Sequence, residues 1–207
     1  MEKGILMPDS TKTRRDMLKT GAAAAVGGAA FAAQAAQQRG GGQAPVSGGR
    51  KFKALVRHGT GALVQELTLL PIQPGEVVVR TQASGVCYTI VRQVLSKQNA
   101  TRASIPNHSG MGIVEEVGPL VKRVQVGDRV IIPGTPQCGQ CYQCLTGRAD
   151  WCQFLSTAPP HPVATMADGT PVNEGGSLGG LSELMVVPEE YTCPVFTDVP
   201  AAELTML

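Results

Sequence analysis

From Lys51 onward the apolar positions come in short runs broken by Gly or Pro. Phe52–Val56, Leu63–Leu69 and Glu76–Ala83 read as strands, with Pro71 and Pro74-Gly75 turning the chain between the last two. Thr89–Lys97 sets Ile90, Val91, Val94 and Leu95 at helical spacing. Gly112–Val117, Val121–Val126 and Arg129–Ile132 are β-branched and separated by Gly118-Pro119 and Gly127-Asp128, so they read as three more strands, and Leu181–Val187 as a last one. Strands nowhere alternate with long helices, which excludes a doubly wound sheet. The pattern predicts a mainly β fold, a small, strongly bent β-barrel with short helices.

The first fifty residues do not share this pattern. Arg14-Arg15 followed by Met17, Leu18 and Lys19 resembles a twin-arginine export signal, and the small apolar stretch Gly21–Ala33 behind it ends at Ala33-Gln34-Ala35, a fit for signal peptidase. That stretch is shorter than the roughly 20 apolar residues a membrane helix needs. The competing reading is a basic tail beside an Ala-rich helix. Residues 36–50, rich in Gln, Gly, Ser and Pro, read as a flexible linker. The expected organisation is therefore a signal peptide over 1–35, a linker over 36–50 and a folded domain over 51–200. A periplasmic or exported location follows, with no membrane span once the signal is cleaved. Composition changes the picture little. The net charge of +2 on 207 residues gives no basic stripe for nucleic acid, whereas 25 Gly, 15 Pro and only 4% aromatics suit a turn-rich β domain.

Residues 133–174 form a long segment dense in Cys, Pro and Gly that needs something to organise it. Cys138, Cys141, Cys144 and Cys152 stand there within fifteen residues. Four soft thiolates on Cys-x2-Cys steps can wrap one tetrahedral zinc ion, with Pro136, Gly139 and Gly147 supplying the bends. Two disulfides are the rival arrangement. Cysteines three residues apart seldom reach disulfide geometry without strain, and a twin-arginine route carries proteins already folded in a reducing compartment, so zinc is favoured.

With these residues in view, the chain from about Lys51 resembles the N-terminal, GroES-like domain of the zinc-dependent alcohol dehydrogenases of the medium-chain dehydrogenase/reductase family. The four-cysteine segment looks like that family's structural zinc lobe. Gly85-Val86-Cys87-Tyr88-Thr89 is similar to its Gly-Val-Cys-His-Thr segment, Pro106-Asn107-His108-Ser109-Gly110-Met111-Gly112 to its Gly-His-Glu motif, and Val126-Gly127-Asp128-Arg129-Val130 to its Gly-Asp-Arg-Val turn. The resemblance implies that Cys87 and His108 ligate a catalytic zinc, that Thr89 relays the alcohol proton, and that Tyr88 faces the cofactor. It further implies NAD or NADP as cofactor in the full-length protein, a small alcohol or aldehyde as substrate, and homo-oligomer formation.

Three positions depart from that pattern. Tyr88 stands where the family has a basic residue facing the cofactor's pyrophosphate, Ile90 where an aspartate supports the histidine ligand, and Ser109 where a glutamate lies behind the zinc. No G-x-G-x-x-G follows a strand and opens a helix, so a Rossmann domain is absent from this chain; Gly110-Met111-Gly112 is expected to serve barrel packing instead. Residues 201–207 sit where the connection to a cofactor domain and the third zinc cysteine would begin, so the chain is expected to be the N-terminal part of a truncated enzyme, inactive as it stands. The alternative is a non-catalytic, zinc-stabilised barrel that binds a partner. Cys193 is expected to be a small buried hydrophobe, His58 and His161 loop residues, and Trp151 packing beneath the zinc lobe.

Overall fold

Alternation through the first part of Lys51–Gly59 (β1) sends Phe52, Ala54 and Val56 inward, and Gly61–Leu69 (β2) pairs back on it across the turn at Thr60. These strands belong to a computed structural model that describes residues 48–156, 161–174 and 178–205; the expected signal lies outside the described residues. Pro162–Thr165 (β7), Pro171–Asn173 (β8) and Ala100–Ser104 (β4) close the barrel in the order β1-β2-β7-β8-β4. Its interior is filled by Phe52, Leu67, Leu69, Ile105, Val163 and Val172.

A second sheet runs Cys193–Pro194 (β10), Arg129–Ile132 (β6), Gly110–Val117 (β5), Glu76–Ala83 (β3) and Leu184–Pro188 (β9). The unbroken apolar runs of β3 and β9 are explained by burial on both faces. Val78, Leu184 and Val186 join the barrel core, while Val77, Val79, Met185 and Val187 join a second core with Val114, Val130 and Ile132. Gly112 lets β5 and β3 approach closely, since a Cβ there would collide with the Arg80 carbonyl. That bears out a packing role for the Gly110-Met111-Gly112 run.

Several local expectations need correction. Val121–Val126 is not a strand. The backbone N–H groups of Lys122 and Arg123 donate to the Glu189 carboxylate, and that of Gln125 to Asp128, so side chains satisfy donors that a ladder would have used. The last long strand begins at Leu184, because Leu181 and Ser182 belong to the barrel side: Leu181 accepts from the Leu55 N–H and Ser182 bridges Ala54. Strands β7 and β8 run through the segment expected to be a loop. Gly49 and Arg50, placed in the linker, are fastened to the fold: Gly49 donates to the Leu69 carbonyl, and Arg50 pairs with Glu115. Cys193 is exposed rather than buried, because it lies on β10 at the sheet's edge. Trp151 is 62% exposed, its ring covered by the Arg148 guanidinium 5.0 Å from the centroid instead of by the lobe. His58 lies at the end of β1, and His161, just before β7, places Nε2 2.9 Å from the carboxylate of the buried Glu76.

Candidate functional site

The helix Tyr88–Leu95 (α1) begins immediately after Cys87, which sits at its N-cap in extended geometry while its carbonyl accepts from Ile90 and Val91. A thiol at this place meets the free N–H groups of a helix start, which favour the thiolate. The Thr89 hydroxyl, 2.6 Å from Cys87 Sγ, is the largest influence; with the Ile90 amide and His108 it draws the Cys87 thiol down to about 6. His108, across the site on the segment between β4 and β5, places Nε2 3.1 Å from Cys87 Sγ. Two ligands of one tetrahedral zinc, from Zn–S and Zn–N bond lengths, lie roughly 3.5 Å apart, so the pair needs to open by only a few tenths of an ångström. Sulfur and imidazole nitrogen are also the donor types that zinc prefers.

The surroundings of this pair differ from what a second carboxylate shell would provide. Ile90 is 4% exposed and lines an apolar groove with Leu55, Val86, Val91, Val94 and Leu181. Ser109 donates weakly to the Gly85 carbonyl at 3.3 Å. Tyr88, 75% exposed, projects from the first turn of α1 beside Thr89. Sequence reasoning missed two residues that organise the site. Asn107, fully buried, adopts a left-handed φ of 89° and ties the Cys87 and His108 segments together. The available signal was an Asn immediately before the candidate ligand His108, since Asn is the residue besides Gly that tolerates this conformation. Arg57, buried in β1, donates to the carbonyls of Gln93, Ser96 and Gln98 at the C-terminal end of α1. Nothing local in the sequence marks it.

The four cysteines converge. Their Sγ atoms lie within 4.8 Å of one another, and Cys138 and Cys144 are 4.0 Å apart, against roughly 3.8 Å for two sulfurs on one zinc. All four are free thiols, gathered about one centre rather than joined two by two. Backbone N–H groups point at the sulfurs: Cys138 to Cys152, Cys141 to Cys138 and Cys144 to Cys141, at 3.4–3.5 Å. The short helix Tyr142–Leu145 (α2) begins on Cys141, and Gly139 and Gly147 take the left-handed turns. The amides of Gln153 and Cys144 draw the Cys141 thiol down to about 6. The Gly139 amide also favours a Cys144 thiolate, but desolvation and the neighbouring thiols outweigh it and push Cys144 up to about 11. Four sulfurs converging on one centre at near-tetrahedral spacing form a donor set that fits zinc. Arg123 fastens the lobe by donating to the Gln137 carbonyl, while the Gln137 N–H donates to Glu190.

Residues 73–197 match the alcohol dehydrogenase GroES-like domain family. The chain belongs to that family. It is 32% identical over 145 residues to an S-(hydroxymethyl)glutathione dehydrogenase of Paracoccus denitrificans, covering 66% of this chain and 39% of that protein. Among solved structures it is similar to benzyl alcohol dehydrogenase of Acinetobacter calcoaceticus, with 28% identity and a TM-score of 0.55 over 73% of this chain and 43% of the other. It is also similar to a cobalt- and zinc-bound thermostable alcohol dehydrogenase of Pyrobaculum aerophilum, with 25% identity and a TM-score of 0.54 over 76% of this chain and 45% of that one. The chain thus spans about two fifths of the length of the curated relatives it matches. No helix among the described residues is long and apolar enough to cross a membrane.

Proposed function

We propose that this chain is the N-terminal catalytic-domain portion of a zinc-dependent alcohol dehydrogenase, acting in NAD- or NADP-linked oxidation of alcohols to aldehydes or ketones. The observation that carries the reading is the approach of Cys87 and His108 to 3.1 Å with the Thr89 hydroxyl beside them. Zinc held there would act as a Lewis acid on an alcohol oxygen, and the nicotinamide would accept the hydride. Cys87 and His108 supply two donors, whereas catalytic zinc sites normally have three protein ligands and an open position. Thr205 packs its carbonyl against Gly85, at the base of the Cys87 loop. Thr89, exposed at the helix start, holds a hydroxyl where a proton can pass outward, and Tyr88 beside it presents a neutral face to the cofactor. Cys138, Cys141, Cys144 and Cys152 would hold a second, structural zinc.

The rival is a zinc-stabilised barrel without redox chemistry, favoured by Ile90 and Ser109 in place of carboxylates. Assaying alcohol-dependent cofactor reduction by the longest natural chain that carries residues 51–207 separates the two. The enzyme reading expects turnover lost in Cys87→Ser with the four-cysteine metal retained, and its rival expects none. The Arg14-Arg15 signal adds export through the twin-arginine route to this proposal.

A further inference from the structure

Asn107 is the most heavily bonded side chain near the site, and no bond it makes is to a strand partner. Its Nδ2 donates to the Gly85 carbonyl at 2.9 Å, to Ser84 Oγ at 2.6 Å and, more weakly, to the Ser109 carbonyl at 3.2 Å. Its Oδ1 accepts from the His108 N–H at 3.0 Å. The two carbonyls can only accept, which fixes the amide's orientation. Ser84 closes the ring by donating its hydroxyl to the Ser109 carbonyl at 2.8 Å. The Asn107 carbonyl accepts from the Gly180 N–H at 3.2 Å, and Gly180 packs so tightly that a Cβ there would strike Ser109, Ser84 and the Asn107 amide. The side chain of Asn107 therefore joins the segment leading to Cys87 to the segment carrying His108, while its backbone carbonyl holds the turn before β9.

The left-handed backbone here suits Gly better than Asn. Asn occupies the position with a side chain that is fully buried and saturated, so its amide serves more than turn formation. Ile90 is buried in the apolar groove and Ser109 donates only weakly to the Gly85 carbonyl, so neither holds the His108 segment as Asn107 does. We propose that Asn107 is a positioning residue, which holds the Cys87 and His108 segments at the separation needed to grip one metal ion. This rests on the reading of Cys87 and His108 as a ligand pair. Gly at 107 would keep the backbone turn but leave Ser84, Gly85 and Ser109 without their common donor, letting the two segments drift.

Cobalt titration of the 207-residue chain tests this, after the four-cysteine site has been filled with zinc. Thiolate-to-cobalt absorption that disappears in Cys87→Ser reports metal at Cys87 and His108. Asn107→Gly is expected to weaken that cobalt affinity about 10- to 100-fold, the range for groups that orient metal ligands, while circular dichroism and four-cysteine zinc content stay unchanged. Asn107→Asp, which keeps the acceptor for His108 but loses the donor, is expected to recover little. Ser84→Ala, a milder change that serves if Asn107→Gly does not fold, is expected to weaken binding several-fold. Cobalt affinity within twofold of the wild type in Asn107→Gly, or in Ser84→Ala where only that variant folds, overturns the positioning role and leaves the ligand pair standing. Absence of any Cys87-dependent band in the wild type, both in the 207-residue chain and in the longest natural chain that carries it, removes the ligand pair itself, and the inference with it.

Discussion

Arg57 donates from Nε to the carbonyl of Gln93 at 2.7 Å, joining the barrel's first strand to the end of the helix that starts on Cys87. A second bond from the same guanidinium reaches Gln98 at 2.8 Å. A buried cation at a helix C-terminus answers carbonyls that have no intrahelical donor. Arg57→Leu is expected to lower stability by about 2–4 kcal/mol, as charged donors are lost and carbonyls orphaned. Arg57→Lys should restore less than half, since a point charge cannot span three carbonyls. Urea midpoints of the three proteins check this; equal midpoints would mean that the cap contributes nothing.

The four-cysteine lobe yields a metal prediction. Purified residues 51–207 should carry close to one equivalent of tightly held metal at that lobe. Cys141→Ser should release it and open the lobe to protease, because metal binding and the folding of such a loop are coupled. Elemental analysis and limited proteolysis read both effects. A metal-free protein with an intact, protease-resistant lobe would sink the assignment.

Much of the fold was legible because its strands obey simple rules. The alternation of Phe52, Ala54 and Val56 names the inward face of β1, and the Val77–Val79 run marks a strand buried on two sides. Strands β7 and β8 were not legible, being only four and three residues long and each opening with Pro. Val121–Val126 misled because β-branched composition says nothing of Glu189, which takes two of its amides from 66 and 67 residues away. At the site, residue types and spacing pointed to the four-cysteine lobe, and the family resemblance to Cys87 and His108. Asn107 and Arg57 stayed hidden, since their partners lie some twenty to forty residues distant in the chain.

Glu174 supplies a pH prediction. Burial raises its pKa above the usual 4.5; its own backbone amide and His161 lower it less, and Glu76 adds a small increase. A carboxyl whose folded pKa is raised contributes stability below the unfolded value, and that contribution is lost as pH rises through the folded value. Glu174→Gln mimics the protonated form. It should melt above the wild type at pH 7.5, with the gap shrinking as pH falls toward 4. A variant that melts lower at pH 7.5 would show that attraction to His161 governs instead.

Export rests on the order of Arg14-Arg15, the apolar stretch Gly21–Ala33 and the Ala33-Gln34-Ala35 triplet. Replacing both arginines with Lys should leave the precursor inside the cell, read by fractionation and immunoblot. Undiminished export of the double variant would point to another route.

The most direct test of the central claim is alcohol-dependent absorbance of reduced NAD and NADP, followed for the 207-residue chain and for the longest natural chain that carries it. Residues 1–207 supply two donors to this site and no G-x-G-x-x-G segment to hold a nicotinamide cofactor, and positioning donor and acceptor is worth several kcal/mol. The 207-residue chain is therefore expected to oxidise neither short nor aromatic alcohols. The longer chain is expected to turn over and to lose activity in Cys87→Ser while keeping its four-cysteine zinc. Turnover by the 207-residue chain alone, or silence of a longer chain with metal bound at Cys87 and His108, would contradict the account.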